Sequence, residues 1–175
     1  MAENKKPSGV KTITLNPTNL NSIIPCSTDG LKYISYTFKL FSVELLDTAY
    51  TIKTAIYPDG KIVVTEKIGK GKISGRRLHY VEQGVVSELF NEITDCINNT
   101  EASIEIYADD CSGALTLYYK DKSIRVDRSV CDSRSERHID LIVEDFFNKN
   151  SISAGISEEG RQKVIEMEQQ ARRNG

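Results

Sequence analysis

The sequence predicts an α+β fold: an antiparallel β-sheet laid out as a meander, two amphipathic helices packed on one of its faces, and a further helix at the C-terminus. Three observations carry this. Residues Ala49 to Ile68 alternate with a period of two on both sides of Tyr57-Pro58-Asp59-Gly60-Lys61. Val86, Leu89, Phe90, Ile93 and Ile97 recur at helical spacing, and Ile139, Ile142, Val143 and Phe146 repeat such a stripe after a second group of strand-like runs. A period of two puts alternate side chains on the two faces of a sheet, whereas spacings of three and four put them on one side of a helix.

The hairpin is the clearest element. Tyr50, Ile52, Thr54 and Ile56 share one parity, and Ile62, Val64, Glu66 and Ile68 share the parity that follows the turn. Between them Pro58 sets φ for a reversal, Asp59 can bond its own backbone, and Gly60 tolerates positive φ. Upstream, residues 1–9 read as a flexible tail and Val10 to Leu15 as a short strand. Asn16 to Gly30 is rich in Asn, Thr, Ser and Pro and reads as loop. Ile34, Tyr36, Phe38 and Leu40 then alternate with Ser35, Thr37 and Lys39 as a half-buried strand, with a possible bulge near Phe41 to Val43.

Beyond Ile68, Gly69 to Arg77 reads as a flexible basic loop, with Leu78 to Val81 returning as an edge strand. The first helix ends at Asn98-Asn99-Thr100, where asparagine suits a left-handed cap. Ile104 and Ile106 mark a strand that stops at Asp109 to Gly113. Leu115, Leu117 and Tyr119 mark the next, and Ile124 and Val126 another after the reversal at Lys120-Asp121-Lys122. Val130 to Arg134 reads as polar loop, and Ser133 with Glu136 has the spacing of a capping box for the second helix. Ser157 with Glu158 and Glu159 caps the third helix, whose apolar content is thin. The expected organisation is a tail at 1–9, a single α+β domain at 10–148, and a linker with an amphipathic helix at 149–175.

At 175 residues one domain can bury a sizeable core. The formal charge of -2, from 23 basic and 25 acidic residues, argues against a generic polyanion binder while leaving room for a local patch. No apolar run reaches membrane-spanning length, and Met1 to Gly9 lacks a secretory core, so a cytoplasmic protein with no membrane association is expected. Cys26, Cys96, Cys111 and Cys131 are widely spaced and are expected to be free thiols.

Three constellations could carry chemistry. Cys131 and Arg137 have the C-x5-R spacing of a phosphate loop, in which a thiolate attacks phosphorus and arginine grips the oxygens. Val130 stands where such loops have histidine, no glycine lies within, and Asp132 and Glu136 bring the wrong charge, so a catalytic site is not expected. Lys67, Lys70, Lys72, Arg76 and Arg77 gather around Gly69, Gly71 and Gly75, and such a segment can hold phosphate or follow a nucleic-acid backbone. It has neither dinucleotide-fold nor Walker spacing. Asp109-Asp110 could contact a cation but suits a turn. His79 and His138 have no metal-ligand spacing, so no metal or cofactor is expected.

Tyr57 to Lys61 with the closing pair Phe146-Phe147, over residues 33–148, resembles small bacterial proteins built as meander, helix, meander, helix. That resemblance implies a fold and carries no activity. The expected function is a non-catalytic binding protein, an adaptor or stoichiometric inhibitor contacting a larger macromolecule through a protein–protein surface. The alternative is a nucleotide or nucleic-acid binder using residues 67–77.

Overall fold

The computed structural model describes residues 11–15, 26–41, 49–69, 72–100, 112–127 and 130–175. It is a mixed α+β structure. Its strands are β1 (Lys11–Leu15), β2 (Leu31–Phe41), β3 (Ala49–Ile56), β4 (Lys61–Ile68), β5 (Lys72–Tyr80), β6 (Ser112–Tyr119) and β7 (Lys122–Asp127). A two-residue pair, β8 (Cys131–Asp132) and β9 (Arg137–His138), stands apart. The helices are α1 (Gln83–Asn98), α2 (Ile139–Lys149) and α3 (Glu158–Asn174).

The sheet order is β1-β7-β6-β2-β3-β4-β5. The six strands β2 to β7 pair antiparallel, as the short turns joining β3 to β4 and β6 to β7 require of those two pairs. β1 joins at the edge, parallel to β7. Because β6 lies beside β2, the two groups of strands form one continuous sheet. The strand expected around Ile104 and Ile106, and the turn at Asp109-Asp110, lie outside the described residues.

Turn chemistry behaves as the residues dictate. Tyr57 N donates to Lys61 O at 2.9 Å, Gly60 N donates to Tyr57 O at 3.0 Å, and Lys61 N donates to the Asp59 carboxylate at 3.1 Å. Gly60 has φ +91°, a region that L side chains rarely adopt.

Two expectations need correction. The segment read as a flexible basic loop up to Arg77 is strand from Lys72 onward. Val63–Leu78, Val64–Arg77 and Thr65–Arg76 are paired, and a register shift between Glu66 and Lys67 absorbs the Gly75-Ser74 irregularity. Charge had masked the alternation, since Arg76 and Arg77 fall on opposite faces. Ser133 and Glu136 do not cap a helix either. They form the turn of the β8–β9 pair, with Glu136 at φ +53° and Asp132 accepting from Arg134 N at 2.8 Å. Ser133 Oγ donates to Asn99 O at 2.6 Å, and α2 starts only after His138, which offers no side-chain cap.

One core cluster joins Ile34, Ile56, Ile62, Leu115, Leu117, Ile124 and Val126 of the sheet with residues of both α1 and α2. Val86 and Ile93 of α1 and Val143 of α2 are fully buried. Each such aliphatic side chain contributes about 1.5–3 kcal/mol relative to remaining exposed. A smaller cluster, Tyr50, Ile52 and Val64, is met by Ile156 and by Val164 of α3. Between α2 and the chain leading to α3, a cleft of about 370 Å3 is lined by Tyr36, Phe38, Ile52, Phe147 and Ile156 among others.

α3 is fixed by polar chemistry more than by apolar area. Glu66 is 2% exposed and accepts four hydrogen bonds: from Tyr50 Oη (2.6 Å), Ser157 Oγ (2.8 Å), Ser157 N (2.9 Å) and Arg77 Nη2 (2.7 Å). Ser157 is also the N-cap of α3, its Oγ accepting from Gly160 N at 3.0 Å. Arg77 further donates to Ser153 Oγ and Gly155 O. Burial alone would raise the Glu66 carboxyl, but the bonds from Tyr50 and Ser157, with the Arg77 charge, hold it below the ordinary range. Burial and the Glu66 carboxylate together push the Tyr50 phenol well up.

Candidate interaction surface

Strand parity assigns every second residue of the sheet to the face opposite the main core. In antiparallel pairs, directly opposed residues share a face, so the register can be read across the sheet row by row. One row runs Tyr118 (β6), Tyr33 (β2), Tyr57 (just past β3), Lys61 (β4) and Tyr80 (β5). The Tyr33 and Tyr118 rings stack with centroids 4.3 Å apart and planes 14° from parallel. Tyr57 follows at 5.3 Å from Tyr33, and the Lys61 ammonium lies 5.8 Å from the Tyr57 centroid. With strands about 4.8 Å apart, this row spans about 19 Å. Burial, with the neighbouring Tyr118 and Tyr57 phenols, raises the Tyr33 pKa. Tyr80 closes the row at the sheet edge, 69% exposed.

The next row is Arg125, Thr116, Ser35, Ala55, Val63 and Leu78, and the one after it includes Ala114, Thr37, Lys53, Thr65 and Arg76. Small residues therefore form much of the floor beside the tyrosines, with cations spread over several rows: Lys61 in the tyrosine row, Arg125 in the floor row, Lys53 and Arg76 in the next, and Lys39 and Lys67 in the one after. Ser35 and Val63 are buried within this floor, while Leu78 is half exposed.

Charge is sharply segregated. The outer parity of the sheet carries Lys39, Lys53, Lys61, Lys67, Arg76 and Arg125. Its acidic member among the described strands is Asp127. All six cations except the half-buried Lys61 are exposed, and none is ion-paired with another described residue. By contrast, α1 and α2 carry Glu88, Glu92, Asp95, Asp140, Glu144 and Asp145 against the single basic Lys149. The near-neutral total therefore conceals a basic sheet face and an acidic helical layer.

The five residues expected to bind an anion are only partly brought together. Lys67 and Arg76 lie on the outer face. Arg77 turns the other way, into the Glu66 cluster, where it is 24% exposed. Lys72 occupies the start of β5, and Lys70 lies outside the described residues. Sequence inspection missed Tyr33, Tyr57, Tyr118, Lys53 and Arg125. A signal was present: summing charge over the outward parity of each strand returns basic residues almost exclusively.

The Cys131–Arg137 constellation takes a different form from a phosphate loop. Cys131 opposes His138, and Asp132 opposes Arg137, across a hairpin. The Arg137 guanidinium is engaged by Glu92 at 3.4 Å and by Asp145, and Cys131 Sγ lies 3.7 Å from Asp132 O. Cys26, Cys96 and Cys131 are in no disulfide among the described residues, and burial pushes the Cys96 thiol up to about 12. Among the described residues, no group of three or more His, Cys, Asp or Glu side chains is placed to hold a metal ion, and no helix is long and apolar enough to cross a membrane. No protein-family model matches the chain, and a search of curated proteins returned no match.

Proposed function

We propose that this chain is a non-catalytic binding protein, an adaptor or stoichiometric inhibitor, that engages a larger macromolecule through the outer face of its sheet. In this reading the helices lie on the opposite side and leave that face for contact. The supporting observation is the face itself: a cross-strand row of four tyrosines beside six cations with no ion pair to a described residue. Tyrosine and arginine contribute large, well-anchored contact area at interfaces. A non-catalytic role is further supported by Arg137, the residue a phosphate loop would need, being held by two carboxylates.

The test is a double substitution, Lys53→Glu with Arg76→Glu, on exposed positions whose side chains hold no part of the core. Unfolding by denaturant is expected to stay within about 0.5 kcal/mol of the parent, as for surface changes generally. Capture of the partner from native extract is expected to fall at least tenfold. Undiminished capture by the reversed variant would show that the contact surface lies elsewhere.

A further inference from the structure

Building on the surface reading above, we infer that the partner is single-stranded nucleic acid, taken on the outer face of the sheet with its phosphates against the cation rows and its bases toward the tyrosine row. Three features select this partner over an acidic protein. First, protein–protein interfaces concentrate apolar area at their centre and exclude charge from it. Here the centre is Ser35, Thr37, Thr116 and the exposed Lys53 with the small Ala55 and Ala114, and the larger apolar side chains Val63 and Leu78 lie to one side. Such a floor is mostly small and polar, and it gives a flat extended chain room to lie across the strands.

Second, the cations are spread over β2, β3, β4, β5 and β7 instead of being clustered. A distributed set of point charges follows a polymer whose own charge repeats along its length. Third, an exposed aromatic ring stands at one end of the row. Tyr80 is 69% exposed at the edge of β5, and Tyr33 and Tyr118 form a stacked pair, centroids 4.3 Å apart, further along the same row. Sheet-borne aromatic rings beside positive charge are the general means of holding unpaired bases without reading sequence, and a sheet of this width takes two or three of them. Duplexes present no free base faces, so the same surface would grip them through charge alone.

The experiment is fluorescence anisotropy of labelled oligo(dT), oligo(U) and a random-sequence DNA duplex, titrated with the full chain at several salt concentrations. Saturable binding of the single strands is expected, with affinity falling as salt rises. Each cation removed should lower the salt slope by about 0.7. Tyr80→Ala, at an exposed edge position, is expected to weaken single-strand binding about tenfold, by loss of stacking, and to leave duplex binding unchanged. Arg76→Glu should weaken both.

Absence of single-strand binding at low salt overturns the inference, as does equal affinity for duplex combined with indifference to Tyr80→Ala. Either result leaves the surface reading standing if the Lys53→Glu, Arg76→Glu variant still loses its partner from extract. If that partner proves to be a nuclease-resistant acidic protein, the inference is overturned and the surface reading is kept. If the reversed variant binds oligonucleotide as the parent does, both fail together.

Discussion

Replacing Glu66 by alanine is expected to destabilise the protein by about 3–5 kcal/mol, the scale for removing one member of a buried charged network, and to release α3. The carboxylate is 2% exposed and receives Tyr50, Ser157 twice and Arg77. Its loss leaves the Tyr50 hydroxyl and the Ser157 amide without their acceptor and Arg77 without its counter-charge, while Arg77 keeps Ser153 and Gly155. Denaturant unfolding checks the energy. Limited proteolysis checks the second half: new cleavage is expected between residues 152 and 175 before any in the sheet. A variant as stable and as resistant as the parent would mean that the cluster is incidental.

The same carboxyl sets a pH dependence. Its folded pKa lies below the unfolded value, so its contribution is complete above the ordinary glutamate range and is lost as pH falls through the folded pKa. Stability is therefore expected to decline in acid, and Glu66→Gln is expected to flatten that decline. Gly160 belongs to this account. A Cβ there would run into Tyr50 Oη and stand 2.8 Å from Glu66 Oε2, so Gly160→Ala should loosen α3 with Glu66 still in place.

Gly60→Ala is expected to be the most damaging change in the hairpin. Its φ of +91° costs a non-glycine residue about 1–3 kcal/mol. A Cβ would also meet the Val81 carbonyl, whose own amide donates to Gly60 O at 3.0 Å. That oxygen is backbone and cannot swing aside, so the turn must separate from the segment that leads into α1. The melting temperature is expected to fall by several degrees, with the far-UV circular dichroism retained below the transition. An unchanged transition would mean that the chain after β5 is free to move away from the turn. Gly30, also at positive φ, has nothing within 4 Å of such a Cβ, so alanine there should cost only the backbone term.

These cases show where the sequence was informative. Proline, aspartate and glycine at 58 to 60 fixed a reversal, and the structure uses each for the reason its chemistry suggests. Helical stripes at 86–97 and 139–146 announced α1 and α2 because burial enforces their period. β5 was harder to see, since Gly75 and the arginine pair break up the alternation that a strand normally shows. Likewise, Ser133 and Glu136 have a capping spacing that a hairpin turn can satisfy equally well. Local pattern also gave no hint that β6 would lie beside β2, and so that Tyr118 would meet Tyr33 across a sequence gap of many residues. The outward cations were written into each strand, but only the assembled register brings them onto one surface.

Among the described residues, the cations of the outer sheet parity and the carboxylates of α1 and α2 stand on different elements, so the local charge at the sheet face differs in sign from the net charge of -2. On the proposed reading, an anionic polymer is drawn to that face before contact is made. Collisions are thereby pre-oriented, and association rates should rise steeply as ionic strength drops, even for a protein whose total charge would repel the target.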